Sequence, residues 1–180
     1  MADTDFRKKM RLSESSGNYG ILTDISGNRQ MSGAYQFSEP RLVDYMRDTG
    51  EVFPMEEFRA NPDLQERVMN WHEQDIMEYV FDKGLDQYIG QTVGGVDIDP
   101  AALTGMAHIG GRKGMRMFLQ SGGRLNPKDD FQTSIADYGK KFSGSDMYGL
   151  TPTRPRMRPA GLVEEETRVR PRARPRGLLD

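Results

Sequence analysis

The chain has 180 residues, of which 36% are hydrophobic and 29% charged, and no cysteine. That excludes disulfides, a thiolate nucleophile and cysteine-built zinc sites, and no run of about 18 apolar residues could span a membrane. Mean hydropathy is −0.73 and net charge −2, polar enough that part of the chain is expected outside any core.

The first residues carry charge without an apolar stretch behind it, so no secretory signal is expected. Asp5 to Ser15 reads as a helix with Asp3 or Thr4 as its cap and Phe6 and Met10 on one face. Residues 16 to 37 are rich in Gly, Ser and Asn and predict a loop or short hairpin turning at Gly27-Asn28. A helix restarts over Pro40 to Asp48, with Gly50 after it. The longest helix is Pro62 to Asp82, where Leu64, Val68, Trp71, Ile76, Tyr79 and Val80 form a stripe and Gly84 stops it. Asp99-Pro100 opens a helix over Ala101 to Ile109, and Arg112 to Gln120 continues to a Gly122-Gly123 stop. Asp129 or Asp130 is expected to cap a last helix ending near Phe142. The pattern predicts a mainly α, α+β fold: a compact helical domain over 1–143 with a small loop or hairpin lobe.

Residues 144–180 read as an extended tail. Within 151–180, eight arginines face Glu164, Glu165, Glu166 and Asp180, a charge of +4 that leaves −6 on the first 150 residues. Five of the ten prolines lie there too, favouring extended conformations that bury little.

Four segments hold candidate chemistry. Glu14, in Ser13-Glu14-Ser15, falls at the C-terminal end of the first helix. The dipole there opposes negative charge, which suits a carboxyl group that must carry a proton. Alone, it reads more readily as a solvated carboxylate at a frayed helix end. In Gly33-Ala34-Tyr35-Gln36-Phe37, small residues would let a ligand approach while the Gln36 amide holds a sugar or acetamido group; a strand edge with core aromatics explains it equally. Residues 105–114 place four glycines around His108, each costing about 1 kcal/mol in a helix. That cost suits close approach of a helix or a ligand, with His108 lining a groove or simply packed. Tyr138 could hydrogen-bond a catalytic carboxylate, or belong to the core.

In this order the pieces resemble the lysozyme-like lytic transglycosylases of the soluble (SLT) type, over about Phe6 to Phe142. Glu14-Ser15 matches the Glu-Ser pair that ends a helix in that family and supplies its one catalytic carboxylate. Gly33-Ala34-Tyr35-Gln36-Phe37 is similar to the Tyr-Gln-Phe form found in phage and bacterial muralytic proteins. Ala107-His108-Ile109-Gly110-Gly111 stands where standard members have Ala-x-Asn-x-Gly, with His108 replacing the Asn and similar to an Ala-His-Leu-Gly-Gly variant. Tyr138 matches a late tyrosine near the catalytic Glu.

The resemblance implies a catalytic Glu14, with Ser15, Tyr35, Gln36, His108 and Tyr138 binding substrate. It implies cleavage of the β-1,4 bond between N-acetylmuramic acid and N-acetylglucosamine in peptidoglycan, with closure of a 1,6-anhydro ring and no metal or organic cofactor. A lysozyme-type hydrolase would need a second carboxylate. Asp24 is the only acidic residue between Glu14 and Gln36, although a turn-capping part explains it more simply.

A wall enzyme without a leader is expected to travel in a phage particle, its tail over 151–180 threaded into another virion protein, and to act in the host cell wall or periplasm. The rival class is a non-catalytic virion protein keeping the domain for assembly. Nucleic acid ranks last as a partner, because the basic tail lacks aromatics and is broken by three glutamates.

Overall fold

The computed structural model describes residues 3–25, 29–129 and 132–148. Helix α1 (Asp5–Ser15) starts where Thr4 Oγ1 accepts the Arg7 N–H and ends with Ser16 in the left-handed region. The Gly17 and Ser16 N–H groups return to the Arg11 and Leu12 carbonyls, closing the last turn in a Schellman arrangement. Strands β1 (Leu22–Ile25) and β2 (Arg29–Ser32) then form an antiparallel hairpin with Leu22 opposite Ser32. The expected Gly27-Asn28 turn lies outside the described residues. Strand β3 (Phe37–Ser38) joins the other side of β2, giving sheet order β1-β2-β3.

Helix α2 (Glu39–Thr49) leads through α3 (Met55–Ala60) to α4 (Pro62–Asp82). Asn61 caps α4 through the Leu64 N–H, and Pro62 fills its first position. A 3-10 turn (Leu85–Tyr88) and a second hairpin, β4 (Thr92–Val93) with β5 (Val96–Asp97), precede α5 (Pro100–Gln120). Asp99 caps α5, and the helix kinks at Gly111, where φ is 67° and ψ 164°. Its two halves are the two helices expected from sequence. Helix α6 (Ile135–Phe142) completes the set. No described helix is long and apolar enough to cross a membrane.

The start of α6 corrects an expectation. Its cap is Ser134, in a capping box with Asp137, not Asp129 or Asp130. Asp129 instead accepts the Thr133 N–H at 2.7 Å, ordering the turn before the helix; Asp130 lies outside the described residues. Packing continues past residue 143: Met147 is buried and the Phe6 N–H reaches the Asp146 carbonyl at 3.0 Å. The Arg/Pro segment lies outside the described residues.

Two core clusters meet along α4 and α5. One gathers α1, β3, α2, α3 and the first half of α4 with Tyr138 and Phe142. The other gathers the second half of α4, the β4–β5 hairpin, α5 and the start of α6. The glycines of α5 let α6 approach. A Cβ at Gly105 would stand 2.6 Å from Phe142 Cδ2, and one at Gly110 2.3 Å from Ile135 Cδ1. Phe142 has 0% exposure, so it cannot swing away. Gly105→Ala gains about 1 kcal/mol of helix propensity but meets overpacking of roughly 1–3 kcal/mol. Denaturant unfolding is expected to show a net loss of about 1 kcal/mol; a gain would mean that α6 can move away freely.

Candidate active site

Glu14 occupies the penultimate position of α1 and is partly exposed. The Tyr138 hydroxyl, from α6, donates to Glu14 Oε1 at 2.5 Å, joining residues 124 positions apart. Tyr138 is 9% exposed. Its hydroxyl is pushed well above the usual phenol range, first by burial and then by the negative charge of Glu14. It therefore stays a donor at any pH the protein meets. Lys141 reaches the Ser13 hydroxyl and lies 5.6 Å from the Tyr138 ring centroid, closing this side.

The Gly33–Gln36 turn is tied to the residue next to Glu14. The Ser15 hydroxyl lies 2.9 Å from the Ala34 carbonyl and 3.2 Å from that of Arg11. Gln65, with 0% exposure, accepts the Ala34 N–H and donates to the Tyr19 and Phe58 carbonyls. Gly33 has a φ of 76°, and a Cβ there would fall 2.3 Å from Gln65 Oε1; only glycine fits. Gln36 takes a φ of 50° without being glycine, a strained conformation of the kind that gathers at functional sites. Its Nε2 donates back to the Gly33 carbonyl at 2.9 Å.

Ser15 and Tyr35 thus enter the site as supports. Tyr35 has 0% exposure. Its hydroxyl donates to Glu66 Oε1 at 2.7 Å and accepts from Arg11 at 2.9 Å, so the phenol faces inward. Its backbone, not its phenol, is the part that acts on His108, favouring a proton on that ring. Gln36 and His108 do face open space. With Phe37, Arg41, His72 and Arg112 they line a cavity of about 260 Å³. A second hollow of about 270 Å³, beside Arg7, Glu73 and Met147, includes none of the candidates.

His72 is 5% exposed and belongs to the same cavity wall. Its basicity falls far below that of an ordinary histidine, first through burial and then through His108, Arg41 and Arg112. His108 is lowered too, by burial and Arg41, against the pull of Glu14 and the Tyr35 backbone. Both rings are neutral at neutral pH. Asp24 sits on exposed strand β1, not in a turn, and accepts Gln30 Nε2 at 2.9 Å. Among the described residues no three His, Asp or Glu side chains gather as a metal ion would need.

Four contributors escaped the sequence: Arg11, Gln65, Glu66 and His72. Glu66 Oε1 alone collects Tyr19 at 2.8 Å, Tyr35 at 2.7 Å and Arg11 at 3.1 Å. The available signal was the placing of Gln65 and His72, seven residues apart beside the apolar stripe of α4, where a solvated residue would not be expected. No family model, curated protein or solved structure matches the chain.

Proposed function

We propose that the chain is a peptidoglycan lytic transglycosylase with a lysozyme-like fold and Glu14 as its acid and base. One observation carries the reading: a carboxyl group at the open end of α1 receives a buried tyrosine hydroxyl on one oxygen, leaving the other to exchange a proton with a ligand. Gln36, in the wall of a cavity that Glu14 itself does not line, offers an amide to a sugar.

In this scheme Glu14 protonates the oxygen between N-acetylmuramic acid and N-acetylglucosamine, and the C–O bond breaks. The acetamido group of the muramyl sugar steadies the cation-like carbon. The carboxylate then takes the proton of the muramyl C6 hydroxyl, whose oxygen closes on that carbon. The product is a 1,6-anhydro end and Glu14 is protonated again. One carboxyl group suffices, where most glycosidases need two. Carriage in a phage particle, anchored through residues 151–180 in a partner subunit, is part of the same proposal and rests on the charge of that segment.

The test is digestion of purified sacculi, with the soluble products read by mass spectrometry. The expected products end in 1,6-anhydromuramic acid. Reducing ends would instead make the protein a hydrolase and turn attention to Asp24. Intact sacculi with folded protein would favour the non-catalytic virion reading.

A further inference from the structure

The two histidines form a chain with a single direction. Arg41 Nε donates to His72 Nδ1 at 2.9 Å. A guanidinium has only donors and stays charged, so His72 Nδ1 must accept and its proton must sit on Nε2. His72 Nε2 faces His108 Nδ1 at 3.2 Å. One proton can occupy that contact, so His108 Nδ1 accepts in turn. Its own proton is then on Nε2, and the Tyr35 backbone is the group beside this ring that favours a proton on it. The start of the chain is itself fixed. Arg41 meets Asp75 Oδ2 at 2.5 Å, lies 3.8 Å from Asp44 and 4.0 Å from the Trp71 ring centre, and Asp75 Oδ1 takes Arg112 at 2.8 Å.

Beyond His108 the chain meets the Tyr35 backbone, which lies between Ala34, held by Ser15 and Gln65, and Gln36 in its strained conformation. We infer that Arg41 and His72 are positioning residues: they lock His108 as the neutral Nε2–H tautomer, which secures the Gly33–Gln36 turn beside Glu14. This rests on the transglycosylase reading of Glu14. A neutral His108 also keeps a further cation away from the carboxyl group that must deliver a proton. The charged groups around the pair are Glu14 from α1, Arg41 and Asp44 from α2, Asp75 from α4 and Arg112 from α5.

The relay has a built-in acid limit. A proton added to His72 sets N–H against the Arg41 donor, and one added to His108 sets N–H against His72 Nε2. Both rings resist protonation in the fold, whereas the unfolded chain takes up protons below about pH 6.5. The pair's contribution to stability is therefore full above about pH 6.5 and is lost as pH falls.

The full chain tests this with long-range 1H–15N correlation of the histidine rings, beside cleavage of soluble glycan strands. Both rings are expected neutral and Nε2-protonated at about pH 7.5. His72→Phe, which removes acceptor and donor, should release His108 into mixed tautomers and lower kcat about 10- to 100-fold with KM little changed. His72→Gln offers one acceptor and one donor without titrating; it should restore most of kcat and keep it to lower pH than wild type. Should His72→Phe not fold, Arg41→Met removes the donor that sets the chain and should give the same loss. An Nδ1–H or charged ring at neutral pH, or wild-type kcat in folded His72→Phe or Arg41→Met, overturns the inference. The expected tautomers in a protein that leaves glycan intact would overturn the transglycosylase reading and the relay's service to it, while the relay geometry stood.

Discussion

Glu14→Gln is expected to cut the rate of sacculus solubilisation by about 10³-fold or more while leaving the fold intact. A positioned general acid or base contributes about 10²- to 10⁴-fold, and here one carboxyl group would serve as both. An amide neither gives nor takes the proton at the required stage. Structurally the exchange is mild. Gln keeps an oxygen for the Tyr138 hydroxyl, which donates to Glu14 at 2.5 Å. Glu14 makes no ion pair among the described residues and is only partly buried, so stability should move by less than about 0.5 kcal/mol. Thermal melting and solubilisation rate, measured on one preparation, separate the two quantities. An unchanged melt with lost activity assigns the chemistry to Glu14. A variant that keeps more than about a tenth of the rate would remove Glu14 from the reaction.

Local chemistry made the long elements legible. Thr4 before α1, Asn61-Pro62 before α4 and Asp99-Pro100 before α5 are stop-and-start signals in the chain itself, and these helices begin there. The two-residue strands left no such trace. The β4–β5 hairpin pairs only Thr92 with Asp97 and Val93 with Val96 around Gly94-Gly95, too short for alternation to show. The cap of α6 was misplaced because Asp129, Asp130 and Ser134 all suit a helix start, and the choice depends on Asp137 reaching back to Ser134.

The candidate site divides along the same line. Glu14 and Tyr138 were singled out by the order of short motifs along the chain, through a resemblance. The layer beneath them was not, because hydrophobic periodicity assigns polar positions to solvent. Gln65, His72 and Glu73 violate that rule, each buried on α4. Their burial is tolerated because the partners arrive from distant segments: the Ala34 backbone for Gln65, Arg41 for His72 and Arg7 for Glu73. No local window contains both members of any of these pairs. Three polar side chains on one helix face thus hold the turn beside Glu14, the cavity wall and α1.

The last of those three carries the largest expected effect on stability. Arg7 donates Nε to Glu73 Oε1 at 2.9 Å and Nη2 to Oε2 at 2.5 Å, a two-pronged contact between α1 and α4. The two residues are 3% and 5% exposed. Asn70 Oδ1 adds an acceptor at 3.1 Å, and Glu66 Oε2 stands 3.6 Å away. Glu73→Ala removes both short bonds and leaves the buried guanidinium with Asn70 and the more distant Glu66, so the loss should fall towards the lower end of the about 3–5 kcal/mol that breaking a buried pair costs. Denaturant unfolding should register that loss as a lower midpoint with an unchanged slope. Replacing both charges, as Arg7→Met with Glu73→Leu, should recover most of it, since apolar side chains of similar size need no counter-charge in the same space. The cycle also reaches the candidate site, because α1 carries Glu14 two turns beyond Arg7. Glu73→Ala should therefore lose cleavage as well as stability, and the double variant should regain both. A single variant that loses less than about 1 kcal/mol would show that water reaches the pair and that α1 is held chiefly by Phe6 and Met10, both with 0% exposure in the core.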